Sequence, residues 1–286
     1  IHAHSAKGGV IARIASVFFK TKVLYTPHAF SYLSANNKFK RFLFLTLERI
    51  LRTKNTIILA TSNSEKNQAI QTVGFDKEKV FVLKNAINKN SIGEDKVLEK
   101  ILKSKTYICT VGRPSFQKNL EMLIRTFEIV AQRNNKVHLF IVGAGEYNPR
   151  KDKIINMINK KNLNARITIL PWVSRKEVQT YIKNAKLYVS SSRYEGMPYS
   201  VIESMALSVP SVLTNTDGNR DLVINKKSGF LVDLDDDVEM ANKIINLLNE
   251  NKLRNKLALE AKKLFMQNHL LSDYLQKLTL HYQKNI

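Results

Sequence analysis

Two glutamates, Glu195 and Glu203, stand on either side of the run Gly196-Met197-Pro198-Tyr199. A glycine lets a ligand approach the backbone closely. A proline suits the first turn of a helix. The free amides at a helix start, backed by its dipole, attract an anion. Phosphate alone has no use for two flanking carboxylates, whereas a sugar attached to a diphosphate has hydroxyls that donate hydrogen bonds to them. A second loop, Gly112-Arg113-Pro114-Ser115-Phe116-Gln117-Lys118-Asn119, carries two cations. Arg113 can fork two phosphate oxygens and Lys118 adds a point charge. With a helix start opposite, they would hold a diphosphate and stabilise it as a leaving group. Each loop taken alone reads as readily as solvated surface charge. Taken together they point to a nucleotide-diphosphate site.

The elements that position these loops alternate. Apolar runs at residues 107–111, 137–142, 167–170, 187–190, 211–213 and 230–232 read as strands. Between and after them, helical spacing predicts helices over 120–133, 151–161, 174–184, 199–207 and 238–249. Ser174, with Glu177 three residues on, is a capping box. Strands that are apolar throughout, alternating with helices, predict a parallel doubly wound sheet. Ligands of such sheets bind beyond the carboxyl ends of the strands, where both loops fall. Gly143-Ala144-Gly145 is one more strand-end loop on that side. The first 88 residues show the same alternation less completely, with strands at 22–25, 56–60 and 80–83. The expected organisation is therefore α/β with two Rossmann-like domains, the N-terminal one incomplete. Residues 1–88 form the first, 89–105 a polar linker and 106–268 the second. A C-terminal helix at 269–286 is expected to cross back to the first domain. The start at Ile1-His2-Ala3-His4 reads as a chain entered in mid-domain.

Composition narrows the class. The 286 residues carry a formal charge of +22, which draws the protein to anions. Residues 1–60 hold ten Lys or Arg against the single acid Glu48. Residues 38–54 combine basic and apolar side chains at helical spacing, the pattern of a helix lying on an anionic membrane surface. The other reading is a domain helix that buries Phe42, Leu45 and the stem of Arg49. No apolar stretch has the ~20 residues needed to span a bilayer. The single cysteine, Cys109, sits in a strand. It reads as a buried inert thiol and suits a cytoplasmic setting, at the inner face of the membrane if the basic helix docks there. Nucleic acid is not expected as a partner, because no binding motif accompanies the charge. Ser190-Ser191-Ser192 lacks the glycines of a nucleophile elbow.

The chain resembles the family-4 retaining glycosyltransferases of the GT-B type, in particular those of bacterial surface polysaccharide and capsule synthesis. Glu195 and Glu203, separated by seven residues with Gly-Met-Pro after the first, fit that family's hallmark. Ser204-Met205-Ala206-Leu207-Ser208-Val209-Pro210-Ser211-Val212 resembles the run that follows it, with serine at two positions where the family has Ala and Gly. Thr214-Asn215-Thr216-Asp217-Gly218-Asn219 and Ser228-Gly229-Phe230-Leu231-Val232 resemble its next loop and strand. His2-Ala3-His4-Ser5-Ala6-Lys7-Gly8-Gly9 and Tyr25-Thr26-Pro27-His28-Ala29-Phe30 resemble acceptor-domain segments. Asn85-Ala86-Ile87 departs from the usual turn, with Ala86 where glycine is common.

The resemblance implies a set of roles. Arg113 and Lys118 hold the donor diphosphate, with the backbone of Gly196, Met197, Pro198 and Tyr199. Glu195 contacts donor sugar hydroxyls, Glu203 the ribose, and Val173 the base. His28 faces the reacting sugar, and His4 is a weaker acceptor-side candidate. It further implies transfer of a hexose from a nucleotide-diphosphate sugar, UDP-linked, to a glycan or lipid-linked acceptor, with retention at the anomeric carbon. No metal or other cofactor is expected. The alternative is a truncated nucleotide-sugar-binding protein with little turnover.

Overall fold

The structure is a computed structural model describing residues 1–35, 37–145 and 150–285. The N-terminal half runs β1 (His2–His4), α1 (Ser5–Phe19), β2 (Val23–Thr26), α2 (Lys38–Ile50), β3 (Thr56–Ala60), α3 (Asn63–Asn67) and β4 (Val80–Val82). A helix α4 (Lys96–Lys103) leads into β5 (Tyr107–Val111), α5 (Leu120–Arg133), β6 (His138–Val142), α6 (Lys151–Lys160) and β7 (Ile167–Leu170). Then come α7 (Arg175–Asn184), β8 (Leu187–Ser190), α8 (Tyr199–Ala206), β9 (Ser211–Thr214), α9 (Asn219–Leu222) and β10 (Gly229–Val232). Three helices close the chain, α10 (Asp237–Asn249), α11 (Asn251–Asn268) and α12 (Leu271–Asn285).

Two parallel sheets result. The first has the order β1-β2-β3-β4 and the second β10-β9-β8-β5-β6-β7. The second is the doubly wound arrangement, reversing between β5 and β8. A crevice opens at such a reversal because the loops leaving the two strands turn to opposite faces. The loops after β5 and β8 are the ones that carry Arg113, Lys118, Glu195 and Gly196. Both faces of these strands are covered: residues 107–110 and 187–190 are all buried. The Ser174–Glu177 capping box forms at the start of α7.

Residues 89–105, expected as a polar connector, hold α4, whose Leu102 is buried in the C-terminal core. Helix α2 does not bury Phe42, which is 67% exposed, and Arg49 also lies exposed, donating to the Thr72 carbonyl. Phe44 and Leu45 pack on the core, and the fully enclosed residue of this helix is Glu48. Its partner is Arg13 of α1, at 2.8 Å. A charge pair therefore sits on the buried side of α2 beside Phe44 and Leu45, while Phe39, Phe42 and Ile50 point outward.

The chain crosses between the halves twice, and the two crossings touch. The amide of Ile87 donates to the His269 carbonyl at 3.0 Å, and that of Leu271 to the Ile87 carbonyl at 3.2 Å. Beyond this point α12 lays Tyr274, Leu278 and Tyr282 over Leu24, Leu59 and Leu83 of the first sheet. His269 is buried at the crossing with Nδ1 2.8 Å from the Asn85 carbonyl, so Nδ1 carries the proton. Burial lowers its pKa from 6.5 to about 4. Between those values the unfolded chain binds more protons. The contribution of His269 to stability is complete above about pH 6.5 and is lost as pH falls towards 4. Urea denaturation of His269→Asn across this window should show a shallower loss of stability than wild type. An unchanged slope would mean that His269 is not desolvated.

Candidate active site

A cavity of about 790 Å³ lies on the C-terminal half, beside the segments where the chain crosses. Arg113, Val173, Tyr199 and Glu203 line it, with Asn88, Trp172 and Arg175. Arg113 leaves β5 after Gly112, and makes no ion pair among the described residues. Gly112 has φ 149°, and a Cβ there would come within 2.9 Å of Lys118 Cε. The glycine thus makes room for the lysine to fold back. Val173 lies on the wall near Gly143, where a planar base could stack beside Trp172.

Lys118 and Glu195 meet each other: Nζ and Oε1 are 2.6 Å apart. Glu195, 7% exposed, also accepts from Ser192 Oγ at 2.7 Å and Gln117 Nε2 at 3.1 Å. Three donors thus hold its carboxylate in one orientation. Glu203, one turn into α8, accepts from Arg175 Nε and Gln179 Nε2, each at 3.3 Å. Pro198 takes the position before the first helical residue rather than the first turn itself. Tyr199 then starts α8 at the cavity wall. The side chain of Met197 is turned into the C-terminal core, leaving its backbone on the loop. Its carbonyl accepts from Asn85 Nδ2 at 2.8 Å.

The N-terminal half meets the C-terminal half at Gly196, outside the lining of this cavity. His4 Nδ1 and His28 Nε2 are 3.0 Å apart, so the proton of one serves the lone pair of the other. Desolvation, with the neighbouring His4, lowers the His28 pKa to about 4, and the imidazole is neutral at pH 7. The backbone of His28 and Ala29 lies against the Glu195–Gly196 loop. A Cβ on Gly196 would stand 2.9 Å from both the His28 carbonyl carbon and the Ala29 nitrogen. On its other side Gly196 O is 2.7 Å from the Cβ position of Gly218. Asp217 and Asp221 of this third loop and α9 meet Gln68 Nε2 and the amides of Asn63 and Ser64. Gly196→Ala is therefore expected to force the halves apart. Transfer should fall by about 10²-fold, the cost of a ~1 Å misplacement, with donor affinity little changed. Steady-state kinetics beside calorimetry checks this, and equal losses in both would point to a collapsed donor loop instead.

The structure thus brings Arg113, Val173, Tyr199 and Glu203 to one cavity, Lys118 to Glu195, and His4 to His28. Ser192, Gln117, Asn85, Arg175 and Gln179 were not singled out from sequence. Only Asn85 carried a signal, in its turn, and Ala86 needs no left-handed φ there. The others are ordinary polar residues whose partners lie in other loops. The cavity can hold a diphosphate at Arg113 and the α8 start and a ribose at Glu203.

The family described as glycosyl transferases group 1 matches residues 91–264, and the glycosyl transferase 4-like domain matches residues 1–86. The UDP-Gal:alpha-D-GlcNAc-diphosphoundecaprenol alpha-1,3-galactosyltransferase of Escherichia coli is 28% identical over 273 residues, 90% of this chain and 70% of that protein. The capsular polysaccharide biosynthesis glycosyltransferase CapM of Staphylococcus aureus is 28% identical over 273 residues, 92% of this chain and 70% of that one. Among solved structures, the Anabaena protein HepE in complex with UDP-glucose superposes with a TM-score of 0.86 at 19% identity, covering 99% of this chain and 78% of that chain. Sucrose-phosphate synthase from Thermosynechococcus elongatus gives 0.87 at 18% identity, covering 99% and 73%. These superpositions establish the GT-B fold.

Proposed function

The chain belongs to the group 1 glycosyl transferases, and we propose that it moves a hexose from a UDP-sugar to a lipid-linked or glycan acceptor, with retention at the anomeric carbon. The observation that carries the reading is the single cavity in which Arg113, the α8 start and Glu203 converge at the reversal of the sheet. The bond between the anomeric carbon and the diphosphate oxygen breaks and a bond to the acceptor hydroxyl oxygen forms. The acceptor's proton is released. Negative charge grows on the departing diphosphate, and Arg113 with the α8 amides lowers its energy. Glu195, held by Lys118, Ser192 and Gln117, accepts from the sugar hydroxyls. Neutral His28, whose backbone lies against Gly196, offers a hydrogen bond to the sugar.

The names of the relatives supply the substrate class. One uses UDP-galactose and a diphosphoundecaprenol-linked acceptor, and a structural neighbour holds UDP-glucose. Calorimetric titration with UDP, UDP-glucose, UDP-galactose and GDP-mannose tests the site. Saturable binding of the uridine ligands, weakened in Arg113→Ala and Glu203→Ala, is expected. No binding by a folded chain would overturn the reading. Binding without transfer to a lipid-linked glycan would leave a nucleotide-sugar-binding protein. Anomeric configuration is read from the product by NMR.

A lipid-linked acceptor fits the outer face of the N-terminal half. Phe18 and Phe19 of α1 and Phe39, Phe42 and Ile50 of α2 are all exposed, among Lys20, Lys22, Lys38, Lys40 and Arg41. The Arg13–Glu48 pair makes the two helices neighbours. No helix among the described residues is long and apolar enough to cross a membrane. Such a face binds anionic bilayers peripherally. Co-sedimentation with phosphatidylglycerol vesicles, reduced by Phe42→Asp and absent with neutral vesicles, is the expected result. Equal recovery with both would remove the membrane from the proposal.

A further inference from the structure

The turn after β2 holds two successive residues in the left-handed region, His28 at φ 54° and Ala29 at φ 78°. Neither is glycine, and side chains with a Cβ avoid this conformation unless something outside the turn imposes it. The imposing group is Glu65, a carboxylate 2% exposed. Its Oε1 accepts from the Ala29 amide at 2.6 Å. Its Oε2 accepts from the Thr61 amide at 2.6 Å and the Thr61 hydroxyl at 2.9 Å. Glu65 is itself fixed, because its amide donates to Ser62 Oγ at the start of α3. One side chain thus ties the end of β2 to the end of β3. On the far side of the same turn stands Gly196, too close to carry a Cβ. The peptide between His28 and Ala29 is clamped between the buried carboxylate of one half and the donor loop of the other.

We propose that Glu65 is a positioning residue for transfer, holding the Ala29 amide so that the His28 imidazole stands at a set place against the Glu195–Gly196 loop. The inference rests on the reading of His28 as the group that faces the reacting sugar. Glu65 itself lies behind the turn and acts only through it. The residue type follows from the donors. Three converge on its two oxygens, so both oxygens must accept. Glutamine would turn an NH₂ toward one of those donors. Aspartate is a methylene too short to span from α3 to Ala29.

The test uses the full chain, with Glu65→Gln as a near-isosteric variant that keeps the packing. Three quantities are read: kcat with a UDP-hexose and lipid-linked acceptor, the UDP dissociation constant by calorimetry, and the His28 ring resonance in histidine-labelled protein, assigned by His28→Gln. Glu65→Gln should lower kcat by about 10- to 100-fold through displacement of the reacting geometry, with UDP affinity within about 2-fold, and should move the His28 resonance. Adding Ala29→Gly should recover at least about 5-fold in kcat, because glycine takes a positive φ at no steric cost. A merely structural glutamate would lose UDP affinity in step with kcat and gain nothing from the glycine. That result, or an unmoved His28 resonance, overturns the proposal. A wild-type chain that transfers nothing would overturn the functional reading alone, since the His28 resonance still decides whether Glu65 sets the turn.

Discussion

Arg113→Ala should lower kcat/KM for the nucleotide sugar by about 10²- to 10³-fold, the cost of removing one pre-organised donor from a developing anion, and leave the thermal midpoint almost unchanged. The second half of this expectation comes from the side chain's surroundings. Arg113 lines the cavity and makes no ion pair among the described residues, so alanine orphans no partner. Lys118→Ala should differ in kind. The lysine is the counter-ion of Glu195, a carboxylate otherwise enclosed by Ser192 and Gln117. Removing it leaves a nearly buried charge with neutral donors alone, which costs about 1–3 kcal/mol or more. Lys118→Ala should therefore lose transfer and stability together, and Arg113→Ala transfer only. Kinetics alongside urea denaturation separate the two. If both variants kept full stability, the Lys118–Glu195 pair would be a surface contact. If Arg113→Ala kept full activity, the diphosphate would lie elsewhere.

Glu48→Ala should destabilise the N-terminal half by about 3–5 kcal/mol, the cost of breaking a buried pair by removing one partner. Arg13 and Glu48 are 0% and 1% exposed. The guanidinium lies 4.4 Å from the centre of the Tyr25 ring, and its Nε donates to the Gly9 carbonyl at 2.9 Å. Gly9 is needed there, since a Cβ would enter the Tyr25 ring at 2.3 Å. Tyr25 in turn donates to Glu48 Oε1 at 3.3 Å. Despite the 2.8 Å approach, Arg13 Nη1 and Nη2 and Glu48 Oε2 are without well-aligned hydrogen bonds among the described residues. The pair is thus poorly compensated for its desolvation. Replacing both members at once, by Arg13→Met with Glu48→Leu, should be close to neutral or stabilising by about 1–4 kcal/mol. Urea denaturation of the single and double variants at pH 7 closes the cycle. A single variant that costs under about 1 kcal/mol would place the pair in contact with water.

Much of the C-terminal half was legible because its signals are local. Mostly apolar strands, helices at 3.6-residue spacing and the Ser174–Glu177 box each depend on a few neighbouring residues. The Glu195–Glu203 separation is likewise a property of one loop and one helix. Strand-helix alternation then predicts a parallel sheet, and a parallel sheet places its loops at one edge. The N-terminal half was less legible. Helix α2 has two faces that are both partly apolar, and its periodicity does not say which one a neighbour covers. Phe42 was a reasonable candidate for burial, but Glu48 is the residue enclosed, because Arg13 approaches from α1.

The amino-acid sequence alone therefore determined the kind of element at most positions, the charge of the chain and a set of candidate residues for a sugar diphosphate. The tertiary structure decided which of them meet. Gly196 lies against His28 and Ala29, Asn85 reaches the Met197 carbonyl, and α12 returns to cover Leu24, Leu59 and Leu83. Each of these contacts joins residues more than a hundred positions apart. No local pattern encodes such a pairing, because it depends on how two complete sheets dock. Docking is set by the summed shape and burial of many side chains, to which each residue adds only a little.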